Sequence, residues 1–123
     1  MIKKLYSAEL INYLILVILS FFINFYYSNL GVLPQDTFAY YDTGYRVLNG
    51  AVPFKDYWTV SGPFIDYFQA ILFFIFGVSW KAYIINGSII NSIITIIFYY
   101  TLNIYNQRRS LNLFYCICFS ILA

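Results

Sequence analysis

The chain contains no histidine. That removes the commonest general base near neutral pH and the commonest metal ligand, so any proton transfer falls to carboxylates or tyrosines. Charge is nearly as scarce: 10% of the 123 residues are charged, where soluble domains carry roughly a quarter. Cysteine is limited to Cys116 and Cys118, and C-x-C within one apolar run fits neither a zinc knuckle nor a disulfide. Both read as packing residues. A net charge of only +2 leaves no electrostatic footprint for nucleic acid.

What is present is apolar. Hydrophobic residues make up 62% of the chain and the mean hydropathy is +0.71, which predicts an all-α, polytopic helical membrane protein. Aromatics reach 24%. Ile, Phe, Tyr, Asn and Lys share AT-rich codons, so the composition points to a bacterium of low GC content and to its plasma membrane.

Two runs are long enough to cross a bilayer, which takes about 20 helical residues. The first span is expected at 10–29, after Lys3 and Lys4, and the second at 82–105, with no charge inside it. A cleaved signal peptide competes for the first. The bulky Phe25-Tyr26-Tyr27 where small residues would precede cleavage favours a retained helix. In the second, Ser88, Ser92 and Thr95, with Gly87 and Asn91 beside them, form a small-polar stripe that needs a packing partner. Asn86-Gly87-Ser88 matches the glycosylation sequon but falls inside this span. A third apolar run at 111–123 is still open at Ala123, and the chain is expected to be the N-terminal part of a longer protein with one membrane domain.

The outer loop, 30–81, holds all four aspartates: Asp36, Asp42, Asp56 and Asp66. Two short helices are predicted in it. One covers 36–49, with Asp36 as N-cap, Phe38, Tyr41, Tyr45 and Leu48 on one face, and Gly50 in the left-handed position after its end. Asp42 and Arg46 are spaced to pair on it. The other covers 62–76, with Ser61 as cap, Pro63 in its first turn and Asp66 favoured by the helix dipole. It is too short to span and fits an interfacial or re-entrant helix. Tyr40, Tyr41, Tyr57 and Trp58 read as interface anchors or sugar-stacking rings.

Charge parity supplies the topology. Lys3 and Lys4 precede the first span, and Arg108 and Arg109 follow the second. Two crossings bring both clusters to the cytoplasmic side and leave the aspartates outside. A carboxylate there could act as a general base or hold a divalent metal ion, and Arg46, Lys55 and Lys81 could meet phosphate oxygens.

The order of these residues is more specific than any one of them. After the first span come Gln35-Asp36, then Tyr40 and Tyr41, then Leu48-Asn49-Gly50-Ala51-Val52-Pro53-Phe54-Lys55-Asp56. Gly62-Pro63, Tyr67 and a run ending in Phe76-Gly77 follow, before the second span. This series resembles the GT-C superfamily of polytopic glycosyltransferases that use polyprenyl-phosphate sugars, in particular protein O-mannosyltransferases and aminoarabinose transferases. The family often has Asp-Glu at Asp36-Thr37, Pro-Pro at Gly62-Pro63, and an Arg early in the second span, where this chain has only Lys81 at its edge. The resemblance implies Asp36 as the base on the acceptor. It makes Asp56, Tyr40, Tyr41, Arg46 and Lys55 candidate substrate-binding residues. The implied partners are the lipid bilayer, a polyprenyl-phosphate-linked sugar, and a glycan, lipid or protein acceptor. A non-catalytic transporter segment or assembly partner is the competing reading, and an inactive truncated product a third. Ionisable groups are absent from the spans after Glu9, which argues against transport.

Overall fold

The computed structural model describes residues 2–31, 34–105 and 108–122. Asn106 and Gln107 of the basic loop lie outside these residues, as do the side chains of Lys3, Lys4 and Gln35. The described residues are helical, without strands, in the order α1 (Ile2–Tyr27), α2 (Pro34–Leu48), α3 (Pro63–Phe76), α4 (Trp80–Tyr105) and α5 (Arg109–Leu122). Among the described residues, two stretches are long and apolar enough to cross a membrane: Glu9–Tyr27 within α1, and α4. The chain divides into two compact units. One combines α1 and α5 with α4 from Gly87 onward, and the other is Ser28–Asn86.

In the first unit the small-polar stripe of α4 has partners. Asn12 Nδ2 donates to the Tyr99 hydroxyl at 3.0 Å, Ser20 and Thr95 hydroxyls meet at 3.0 Å, and Ser88 Oγ donates to Asn24 Oδ1 at 3.2 Å. Rising numbers in α1 meet falling numbers in α4, so the two helices run antiparallel. The Thr95 hydroxyl also lies 3.3 Å from Ser120 Oγ on α5, and Arg109 bonds Glu9 at 2.7 Å. The Glu9 turn of α1 and the first turn of α5 therefore lie side by side. Around the polar seam Leu16, Tyr99 and Cys116 form a small buried core, with Tyr13 edge-on to Tyr99 at 5.2 Å. Cys116 and Cys118 are both free thiols. The sequence pattern is legible here because hydroxyls on an apolar helix must find hydrogen-bond partners, each such contact contributing about 0.6 kcal/mol in a membrane setting.

In the second unit α2 packs on α3, and the helix boundaries depart from expectation in an informative way. Asp36 is not the N-cap of α2. The helix begins two residues earlier at Pro34, because proline presets the backbone angle of a first helical residue and loses no hydrogen bond there. Ser61 is not a cap either. Gly62 takes that position with φ 85° and no capping side chain, while the Ser61 hydroxyl turns to Asp66. Gly50 adopts φ 90° after α2, as its position predicts.

The aromatic face of α2 is split, with Tyr41 packed on Phe73 of α3 and other rings of that face left outside. Phe38 and Tyr45 are exposed, whereas Thr43 and Gly44 are buried. Gly44 makes the crossing possible: a Cβ there would overlap Gln69 Cγ and lie 2.7 Å from Gln69 Cβ on α3. Gly44→Ala is therefore expected to destabilise the α2–α3 pair by about 1–3 kcal/mol through overpacking. Ordinary helix propensity predicts the opposite, a gain of roughly 1 kcal/mol. Thermal unfolding or hydrogen exchange of α2 decides between them by sign alone.

Candidate functional site

The loop aspartates lie in the second unit, and the structure separates them. Asp36 sits in the first turn of α2, exposed, where the helix dipole favours a carboxylate. Among the described residues it has no hydrogen-bond or ion-pair partner. Asp42 receives Arg46 Nε at 2.6 Å, an exposed i, i+4 pair of the kind worth about 0–1 kcal/mol. Asp56 accepts the backbone N–H of Val52 at 2.8 Å.

That last bond closes a tight turn. Asp56 N donates to Val52 O at 2.9 Å and Phe54 N to Tyr57 O at 2.9 Å, so the segment that reads as irregular is stapled from within. Phe54 has φ 64°, a left-handed conformation that costs a bulky residue roughly 1–2 kcal/mol. The staples hold it, and its ring meets Trp58 edge-on at 5.4 Å. Lys55 is exposed on the same turn, as is Trp58 at 79%.

Asp66 is the buried acid of the loop, 1% exposed. The Tyr57 hydroxyl donates to its Oδ2 at 2.9 Å and the Ser61 hydroxyl to its Oδ1 at 3.2 Å. Burial pushes the Tyr57 phenol above its usual value, reinforced by its bond to the carboxylate. The Arg46 guanidinium lies 6.0 Å from the centre of the Tyr57 ring, at the outer limit of a cation–π contact. Asp42, Arg46, Tyr57, Asp66 and Ser61 thus form one connected network from the surface of α2 to the interior of α3.

Beside it, Asn86 Nδ2 donates to Gln69 Oε1 at 2.7 Å, both residues buried, tying α3 to the start of α4. Tyr41 packs on Phe73 at 4.9 Å and Tyr83 at 6.0 Å, and Trp80 stacks on Tyr83 at 5.2 Å. Tyr41 and Tyr57, predicted as interface or sugar-stacking rings, make internal contacts of this unit, while Trp58 faces out. Tyr40 is half-buried, its carbonyl accepting the Thr43 hydroxyl at 3.1 Å.

Of the predicted site residues, the structure brings Arg46 into the network with Asp42 and Tyr57. No hydrogen bond or ion pair among the described residues joins Asp36, Asp56 and Lys55. Nor do three carboxylates or thiols among them converge as a metal site would require. The Tyr57–Asp66–Ser61 cluster has only one sequence signal: Ser61 stands just before a proline-led helix whose first turn holds Asp66. Tyr57 comes from across the turn and leaves none. Compared with known proteins, the chain matches no family model, no curated protein and no solved structure.

Proposed function

We propose that this chain belongs to an integral-membrane glycosyltransferase, which moves a sugar from a polyprenyl-phosphate donor to a cell-envelope or glycoconjugate acceptor. The observation that carries this reading is the difference among the loop aspartates. Asp42, Asp56 and Asp66 are each engaged by a neighbour within the fold. Asp36 stays exposed in the first turn of α2, and it is the acid that the GT-C-like order of residues marks as the base. The succession of elements supports the same reading: a membrane-length helix, an Asp-bearing loop helix, the turn at residues 51–57, a proline-led helix ending before Gly77, and a second membrane-length helix.

In this reading Glu9–Tyr27 and α4 cross the plasma membrane, with the N-terminus and Arg108–Arg109 in the cytoplasm and the aspartates outside. The antiparallel pairing of α1 with α4 and the Glu9–Arg109 bond support that parity. The Asp36 carboxylate takes the proton from an acceptor hydroxyl or amine as that atom bonds to the anomeric carbon. The carbon–oxygen bond to phosphate breaks, its electron pair leaves with polyprenyl phosphate, and the anomeric configuration inverts. Arg46 and Lys55 offer positive charge to the departing phosphate.

The direct test supplies polyprenyl-phosphate sugars to membranes containing the whole protein and measures released polyprenyl phosphate together with sugar on the acceptor. Release above that of membranes lacking the protein is the expected result. Equal release across the donor sugars would leave a non-catalytic membrane component.

A further inference from the structure

The Asp36 carboxylate has no partner among the described residues, so its aim is set by the backbone that carries it. That backbone is the first turn of α2, where N–H groups lack intrahelical acceptors and helices fray. A general base works only from a fixed place, and a misplacement of about 1 Å can cost 10²-fold in rate. Contacts from outside α2 have to hold this turn.

The start of α4 supplies them. Trp80 and Tyr83 stack there at 5.2 Å, on a turn capped by Ser79 Oγ, which accepts the Ala82 N–H at 3.2 Å. Side chains of α2 meet this pair at several points. The Phe38 ring lies 6.5 Å from Trp80, and the Tyr41 ring 6.0 Å from Tyr83. Between these ring contacts, the hydroxyls of Thr37 and Tyr83 share a hydrogen bond. Thr37 and Phe38 directly follow Asp36, so the contacts fall on the turn that carries the carboxylate.

The bracket is itself anchored. Asn86, one helical turn beyond Tyr83, donates to Gln69 Oε1 at 2.7 Å, and Tyr41 packs on Phe73 at 4.9 Å. α3 therefore holds both sides of the contact, the start of α4 and the second turn of α2. All of these residues belong to one compact unit, Ser28–Asn86. Within the bracket the two kinds of contact do different work. Packed rings can slide, whereas a hydrogen bond weakens steeply as its angle bends and so fixes a direction. Thr37, Trp80 and Tyr83 are half-buried, which shields that bond in part from competing water.

We propose that Tyr83 is a positioning residue for the sugar transfer: its hydroxyl, bonded to Thr37, fixes the first turn of α2 and so aims the Asp36 carboxylate at the acceptor. The inference rests on the glycosyltransferase reading and adds a residue that acts through Asp36 rather than on the sugar or its lipid. Phenylalanine at position 83 keeps the ring contacts with Trp80 and Tyr41 and removes only the hydroxyl. The carboxylate then samples directions that do not face the acceptor.

The test is a double-mutant cycle on the whole protein in membranes, with polyprenyl-phosphate sugars as donors and released polyprenyl phosphate as the readout. Tyr83→Phe is expected to lower kcat by about 10–100-fold with KM for the donor nearly unchanged. In an Asp36→Asn background it should cost almost nothing further, because an absent base cannot be misaimed. Thr37→Val breaks the same bond from α2, should give the same loss, and should add nothing when joined to Tyr83→Phe. Hydrogen exchange at residues 37–41 should quicken in either single variant. Equal fold losses with and without the Asp36 carboxylate overturn the proposal, since a merely structural residue acts in both backgrounds. Full turnover by Tyr83→Phe overturns it as well. No release by the unaltered protein from any donor sinks the glycosyltransferase reading and the positioning role with it. Once the unaltered protein shows release, a failure at Tyr83 counts against Tyr83 alone.

Discussion

In the whole protein, Asp36→Asn is expected to lower sugar transfer by about 10²–10⁴-fold, the usual contribution of a positioned general base. Asparagine keeps the size of the side chain and removes only its ability to take a proton. The change also weakens the favourable meeting of a carboxylate with the first turn of α2, a loss of about 0.3–1 kcal/mol. Stability and rate therefore have to be read separately. Comparable thermal unfolding with collapsed turnover assigns Asp36 to the chemistry, and Asp36→Glu should recover part of the rate because it restores a base. Unchanged turnover would remove Asp36 from the mechanism. The same substitution at Asp42 should cost little of either, since that carboxylate serves an exposed ion pair with Arg46.

Tyr57→Phe is expected to loosen residues 51–66 by about 1.5–3 kcal/mol, the worth of a hydrogen bond to a buried charge. The phenol is one of two donors to a carboxylate that is almost wholly buried. Without it, the longer bond from Ser61 is what remains to Asp66 among the described residues. Limited proteolysis or hydrogen exchange across the turn at residues 51–57 reads the effect. The variant should also change the alkaline limb of stability. In the folded chain the Tyr57 phenol is held above its usual value, first by burial and then by its bond to Asp66. The protonated form is thus favoured in the folded state. That contribution is complete below the unfolded value of about 10 and is lost as pH rises beyond it. Tyr57→Phe should flatten this part of the fall above pH 10, measured as the difference between the two proteins. Equal alkaline slopes would show that the phenol does not couple to the turn.

Much of the helical layout was legible. Membrane-length helices announce themselves by uninterrupted apolar runs, and both were found near their expected bounds. Gly50 and Pro63 mark helix ends because their backbone requirements are local. Ser88, Ser92 and Thr95 advertised a packing face because hydroxyls in an apolar stripe need partners. The errors were local too: Pro34 competed with Asp36 for the start of α2, and Gly62 with Ser61 for the start of α3. In each case a backbone preference outweighed a capping side chain.

The different standing of the four aspartates was only half legible. Asp42 could be paired with Arg46 from spacing alone, since four residues along a helix bring side chains together. Asp66 could not be recognised as buried. Its position in a first turn suits an exposed acid equally well, and its burial depends on Tyr57 from across the turn and on α2 covering one side of α3. The reversed amphipathicity of α3, with Asp66 and Gln69 buried and Phe64, Ile71 and Phe74 exposed, was hidden for the same reason. Periodicity reveals that a helix has two faces but not which one the rest of the chain will cover.

By itself, then, the sequence determined that this protein is helical, where its two membrane-length helices lie, and that its four aspartates cluster in one loop. All of these follow from composition and from interactions a few residues long. The tertiary structure alone decided that α2 crosses α3 at Gly44, that Asp66 is enclosed with Tyr57 while Asp36 stays exposed, and that α3 turns its aromatic stripe outward. Those outcomes depend on contacts between segments distant in the chain, where steric fit and hydrogen-bond satisfaction select among arrangements that local sequence leaves equal.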